Sequence, residues 1–390
     1  MKRLLVIVLL FIYAVLNAQN ATLTADRDSV TALLSNLRNI KSHINLEFAA
    51  SANAHFTNGK FEDTPFKINR VRLEIFGRLN RHISYHFRQS FNKYSNPYSV
   101  DNMSSSIEYA YLKWHNGDNF ELVAGKQYLA LAGYEGYVNG LKVREFSDFN
   151  NNVEIYQAGL MGIWKVTPDQ HIMLQIANNR NSNDNEMYLY GLPYGVESAR
   201  FPFLGTLNWN GWFADGAVHL MYSASAGHLA KGKNIYYLMC GNIYEKGPVL
   251  AYLDVLYSRS AIDSQQRITA LQGQSRGMLP VTAQNTEYLT FIANIDYRFH
   301  PKWNAYIKGV YETADVYESN DIFNAGRYIT SWNAQACVEW FPFTDDQGFK
   351  VFAHYLYKGV ELSDKSKALG ASVPHTQRIS LGIQYIIPVL

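Results

Sequence analysis

From His43 the chain alternates with a period of two. Ile44, Leu46, Phe48, Ala50, Ala52, Ala54 and Phe56 fall on one side of the repeat, and His43, Asn45, Glu47, Ala49, Ser51, Asn53 and His55 on the other. Successive side chains of a strand point to opposite faces, so this stretch is a strand with one apolar and one polar face. It outlasts the five or so residues of an ordinary soluble strand. Its length suits a tilted crossing of a bilayer with the apolar side toward lipid.

The pattern recurs along the chain, and the segments read as strands lie near 66–79, 82–93, 105–115, 119–127, 153–166, 170–181, 204–213, 217–229, 232–244, 248–259, 285–299, 303–316, 327–342, 348–360 and 376–388. Every second connection is short and carries turn residues: Asn80-Arg81, Asn116-Gly117-Asp118, Thr167-Pro168-Asp169, Ala214-Asp215-Gly216, Glu245-Lys246-Gly247, His300-Pro301-Lys302 and the stretch Asp345 to Gly348. The intervening links, 57–65, 94–104, 128–152, 182–203, 260–284, 317–326 and 361–375, are long and polar, with Ala230-Lys231 the exception. Short turns at one end and long loops at the other predict an all-β, transmembrane, antiparallel up-and-down β-barrel of about sixteen strands with periplasmic turns. Trp114, Trp164, Trp303 and Trp340 sit beside short turns on the apolar parity, as an interfacial aromatic girdle requires.

Composition agrees once the two faces are separated. Mean hydropathy of −0.20 alone resembles a soluble protein, but averaging a lipid-facing and a water-facing side gives the same value. Lys and Arg total 35 against 33 Asp and Glu, and without a strong basic excess no nucleic-acid partner is expected. The start, Met1-Lys2-Arg3, an apolar run from Leu4 to Leu16 and Ala18, reads as a signal peptide over 1–18, and the run is short for a membrane anchor. Residues 19–42 read as a periplasmic segment with a short N-terminal helix, started by Ser29 and carrying Val30, Leu33, Leu34 and Leu37 on one side. The barrel then occupies 43–390, in the outer membrane of a Gram-negative bacterium. Cys240 and Cys337 allow one long-range disulfide and specify neither a framework nor a zinc site.

If the apolar parity faces lipid, the other lines the lumen. It presents Arg70, Arg72, Glu74 and Arg78 on the second strand, His82, His86 and Arg88 on the third, and Lys113, Arg298, Lys308, Lys350, His354, Lys358 and Arg378 farther on. Spaced cations that each bind weakly can pass an anion along a wall. Glu47, Glu108, Glu121, Asp254, Asp296, Glu312 and Glu339 share or neighbour that parity, so a charge-balanced, solvated wall is the alternative. The link 128–152 is long enough to need a reason, and its small and apolar residues suit folding against the wall. Lys142, Arg144 and Glu145 would then border the narrowest point; a loop lying outside as a lid is the alternative.

No G-x-S-x-G, Walker A, H-E-x-x-H or Gly-rich dinucleotide motif occurs, so no enzymatic activity, cofactor or catalytic residue is expected. His82 and His86 on one strand stand roughly 13 Å apart, too far for one metal ion. The expectation is a passive channel for small polar solutes, with lipid around it. A plugged barrel serving as a surface receptor or secretion-apparatus component is the rival.

Three runs carry a family resemblance. Asn69-Arg70-Val71-Arg72-Leu73-Glu74-Ile75-Phe76-Gly77-Arg78-Leu79 resembles the early arginine-bearing strand of the phosphate-selective porin O and P family. Ile107-Glu108-Tyr109-Ala110-Tyr111-Leu112-Lys113 and Phe120-Glu121-Leu122-Val123-Ala124-Gly125-Lys126-Gln127 resemble it too. Members of that family are trimeric anion channels of about sixteen strands with a long third loop. The resemblance therefore implies a homotrimer, passage of small anions or phosphate, and Arg70, Arg72 and Arg144 as candidate anion contacts.

Overall fold

The computed structural model describes residues 41–93, 100–272, 279–343 and 345–389. The expected signal peptide and N-terminal helix lie outside the described residues; β1 begins at Lys41.

The strands are β1 (Lys41–Thr57), β2 (Lys60–Asp63), β3 (Phe66–Arg78), β4 (Ile83–Ser90), β5 (Ile107–Asn116), β6 (Phe120–Tyr128), β7 (Tyr156–Thr167), β8 (Gln170–Asn178) and β9 (Phe203–Phe213). They continue as β10 (Val218–Ala230), β11 (Lys233–Lys246), β12 (Val249–Ile262), β13 (Gln284–His300), β14 (Trp303–Val316), β15 (Gly326–Trp340), β16 (Phe349–Leu362) and β17 (Thr376–Pro388). From β3 to β17 each pairs antiparallel with the next, and β1 pairs with β2, β3 and β17, as in Glu47 opposite Arg72 and Phe48 opposite Tyr385. The sheet is thereby a closed barrel of sixteen strands, β2 being a short extension at its rim. Closure leaves no edge whose N–H and C=O groups would face hydrocarbon unpaired. Among the described residues no helix is long and apolar enough to cross a membrane.

The two-residue repeat sorts side chains as expected. Glu47, Ala49, Ser51 and Asn53 are buried inside, whereas outward residues such as Leu174, Ile307 and Leu381 are more than half exposed. Trp114, Trp164, Trp303 and Trp340 all face outward near short turns, and Trp303 stacks on its cross-strand partner Trp340 at 6.1 Å.

One expectation needs correction, and one question that the sequence left open is answered. The stretch 57–65 is not a long loop. Strand β1 runs to Thr57 and turns at Asn58 (φ 49°) and Gly59 (φ 78°) into β2. Asn-Gly takes the left-handed conformation of a tight hairpin at little cost, and Pro65, with no N–H to donate, marks the break before β3. The permitted disulfide is also not formed: both cysteines are free. Cys240 pairs beside outward Tyr222 on β10, while Cys337 is buried inside with Tyr306 and Phe352, so their thiols lie on opposite faces of strands that are not neighbours.

The inner face is not polar throughout. On β10 to β14 the inward positions include Met221, Met239, Ile243, Leu256, Ile292 and Val310, which pack with Leu129, Leu131 and Phe149 of the β6–β7 loop. These strands are apolar on both faces because one faces lipid and the other faces the chain's own loop.

Candidate functional site

The β6–β7 loop, residues 129–155, turns inward. Its first backbone groups replace water for inward polar side chains. Ala130 N–H donates to Gln175 at 2.7 Å, Asn208 donates to the Ala130 carbonyl at 2.7 Å, and Ala132 N–H donates to Ser223 at 2.8 Å. Gly133 (φ 111°) then lies against β11 and β12; a Cβ there would come within 3.0 Å of Leu256.

Two short helices follow, α1 (Tyr134–Tyr137) and α2 (Asp148–Asn152), and each is seated on a wall carboxylate. Asp254 of β12 accepts the N–H groups of Tyr134 and Glu135, both at 2.9 Å. Glu312 of β14 accepts those of Asp148 and Phe149, both at 3.0 Å, and Ser147 caps α2 by accepting from Asn150 N–H at 3.2 Å. The first N–H groups of a helix have no internal partner, so a fixed carboxylate there satisfies both sides.

Ion pairs complete the seating. Lys308 of β14 reaches buried Glu135, and Glu135 also accepts from Ser147 and Asn150. Arg144 pairs with Glu339 of β15 at 2.8 Å and lies 3.7 Å over the Phe352 ring. Arg378 of β17 meets Glu145 at 2.8 Å. Asn139 donates to Glu47 at 2.9 Å and accepts from Arg72 at 2.6 Å. Arg267 of the β12–β13 loop also reaches Asp148 at 3.0 Å. That second loop is shaped around buried Asp263, which accepts from Tyr288, Thr269 and Gln266; burial pushes its carboxyl above the usual range. Because the bonds of the β6–β7 loop reach β1, β3, β12, β14, β15 and β17, that loop lies across the lumen.

The other wall is organised by side chains alone. Arg72 is held by Glu47 at 2.5 Å and Glu108 at 3.2 Å. Glu108 also takes Arg88 at 2.8 Å and Lys93 at 2.6 Å, and accepts from Ser90 at 2.8 Å. Glu74 lies 2.9 Å from His86 and 3.7 Å from Arg88. A bulge makes this possible: Arg88 pairs with Tyr109 and Gln89 with Ile107, so Glu108 is the extra residue that the kink turns inward. Arg72, Arg88 and Lys93, with His86, thus meet three carboxylates.

The remaining predicted residues separate by whether they keep a partner. Lys113 shares Glu121 with Lys165, at 2.9 and 2.8 Å. Among the described residues, Arg70, Arg78 and Lys142 form no ion pair. Arg70 points at the loop, and its guanidinium would lie 2.9 Å from a Cβ placed on Gly140, so the glycine gives it room. Two spaces flank the loop. One of about 290 Å³ lies between Gly140–Phe146 and the β1–β3–β17 wall, lined by Lys67, Arg70 and Arg378. The other, about 720 Å³, opens toward the short turns and is lined by Lys142, Asp296 and Lys350. Both are lined by Leu141 and Val143.

Sequence reasoning passed over Glu135, Asn139, Ser147, Asp148 and Arg267. A signal for the seating was nonetheless present. Asp254 and Glu312 stand between inward apolar residues, Tyr252 and Leu256 in one case and Val310 and Ala314 in the other. An acid in such surroundings has no water to solvate it and needs donors from elsewhere in the chain.

A sequence model of the phosphate-selective porin O and P family matches residues 42–387. Among solved structures, the chain is similar to Salmonella typhi OmpF in complex with daunomycin, with TM-score 0.55 and 10% identity over 89% of this chain and 97% of that one. It is similar to Vibrio cholerae OmpT, folded in vitro and in its trimer form, with TM-score 0.52 and 12% identity over 89% and 99%. The loop L8 deletion mutant of OmpT gives TM-score 0.53 and 10% identity over 89% and 99%. At such identities the likeness is one of fold. No curated protein matches the chain.

Proposed function

The chain belongs to the phosphate-selective porin O and P family, and from that premise we propose that small anions cross it beside the inward loop, with Arg70 as their principal contact. It is an outer-membrane porin for passive diffusion. The observation that carries the selectivity reading is the division of its cations. Arg72, Arg88, Arg144, Lys308 and Arg378 are committed to carboxylates, whereas Arg70 borders the narrower space without one among the described residues. A paired guanidinium is neutralised at short range, but an unpaired one offers its donors to a passing phosphate or other anion. Lys67 and Lys142 add uncommitted positive charge on either side of the loop.

The committed cations have a different task, which is to hold the loop and the wall in place. Narrowing follows from a fixed loop, and passage follows from the spaces left beside it. A homotrimer, the leader at 1–18 and residues 19–42 as a periplasmic segment complete the proposal. The family resemblance supports the trimer, and the n-region and apolar run support the leader.

Planar-bilayer recording tests this reading. Purified protein is expected to conduct, and a salt gradient is expected to give a reversal potential of anion-preferring sign. Cation preference would overturn the role of Arg70, and absence of any conductance would overturn the channel itself. Unheated electrophoresis with and without cross-linking reads the trimer.

A further inference from the structure

We propose that the short-turn mouth of the lumen holds a binding station for ring-bearing organic anions, with the anionic group at Arg78 and the ring against Phe76, His86 and Tyr111. The inference rests on the channel reading and adds a class of solute to it. A cavity of about 750 Å³ opens there against β3, β4 and β5. Its lining contains Arg78, Arg81 and Lys113 and, among the described residues, no carboxylate.

The rings form a connected series along the wall. His43 stacks on Phe76 at 5.1 Å, Phe76 meets His86 at 5.6 Å, and His86 meets Tyr111 at 5.4 Å and Tyr109 at 4.7 Å. Tyr109 then meets Tyr156 at 5.5 Å, and Tyr156 meets Tyr128 at 6.2 Å, where β6 gives way to the inward loop. The series therefore leads from the mouth to the foot of the constriction.

This surface is fixed before any solute arrives. His86 lies 3.0 Å from the Tyr111 hydroxyl through Nδ1 and 2.9 Å from Glu74 through Nε2, so the central ring cannot turn freely. Glu74 is already occupied by His86 and Arg88, which removes the carboxylate beside the rings as a source of repulsion. A pocket of rigid rings with a few placed charges is the usual form of a small-molecule site, and preorganisation lowers the cost of binding. An inorganic anion uses only the cations. An anion carrying a flat ring uses both features, and ring contacts of this kind raise affinity by about tenfold at most. Binding that weak still permits release into the next part of the lumen.

The test uses purified porin in planar bilayers, with block of chloride current as the readout. Phenyl phosphate, inorganic phosphate and phenol are added to each side in turn. Phenyl phosphate is expected to halve the current at a several-fold lower concentration than inorganic phosphate, from one side only, with phenol weaker than both. Phe76→Leu keeps an apolar side chain but removes the ring, and is expected to bring the phenyl phosphate and inorganic phosphate values together. Tyr111→Leu is a second variant with the same expectation, and heat-modifiable electrophoretic mobility reports that each has folded. Arg78→Gln is expected to weaken both phosphates and leave phenol unchanged. Equal half-block concentrations in the unaltered protein would overturn the station, as would persistence of the difference in Phe76→Leu. A barrel that carries no current at all would instead overturn the channel reading.

Discussion

The inner wall of β12 to β14 and the inner wall of β3 to β5 solve the same problem in opposite ways. Both hold carboxylates that water does not reach freely. On the first wall, Asp254 and Glu312 accept backbone N–H groups of the inward loop. On the second, Glu47, Glu74 and Glu108 are met by Arg72, Arg88 and His86. Hence the acids of one wall fix the inward loop through its backbone, and those of the other set the charge of the lumen, with Glu47 also accepting from the Asn139 side chain of the loop. Carboxylates turned toward the same lumen therefore carry different consequences, decided by what lies opposite.

Breaking the balanced wall is expected to have the largest effect. Glu108→Ala leaves the buried guanidinium groups of Arg72 and Arg88 short of their shared partner, and the loss of one member of such a set costs about 3–5 kcal/mol. Urea unfolding in detergent measures it, and a loss below about 1 kcal/mol would show that the wall does not depend on this balance. In the survivors, the freed cations are expected to move the reversal potential toward anions.

Breaking the seated wall comes next. Glu312→Ala removes the acceptor of two N–H groups at α2, with an expected cost of about 1.5–3 kcal/mol, the range for hydrogen bonds to a charged group. The functional signature differs from that of Glu108. A loosened loop is expected to raise single-channel conductance and open-channel noise, with little change in ion preference. If ion preference moved and noise did not, the two walls would not have separate tasks.

The smallest expected change in stability comes from Arg70→Ala, within about 0.5 kcal/mol, because no ion pair is lost. Its effect belongs to permeation: the reversal potential is expected to shift toward cations while thermal stability stays constant. That pairing of outcomes sharpens the comparison, since a committed arginine such as Arg72 is expected to change both.

Much of the barrel was legible in the chain because strand period, turn chemistry and girdle position are local properties. Strand limits agreed to within a few residues over most of the length, as at Val249–Ile262 and Thr376–Pro388. The Asn58-Gly59 hairpin was missed although its signal is local, because the polar run after it was read as loop. The candidate site was less legible, for a physical reason. Whether an inward arginine is free depends on carboxylates from other strands, and the one that matters most, Glu108, is turned inward by a bulge. Periodicity alone gives parity and not partners. Arg70 and Arg72 are two residues apart on one strand, yet among the described residues Arg72 pairs with a carboxylate and Arg70 does not.

The seating of the loop also bears on how such a protein can diverge. Asp254 holds groups 119 and 120 positions away, and Glu312 holds groups 163 and 164 positions away. A loop transplanted alone into a relative would arrive without its acids, and the acids left behind would have no donors. The unit that can be exchanged between barrels is therefore the loop together with the wall residues that hold it, Asp254 and Glu312 with Glu47, Lys308, Glu339 and Arg378. The Arg88–Glu108 pair, built between neighbouring strands, carries no such tie to the loop, so charge there can change with local compensation while the shape of the passage is kept.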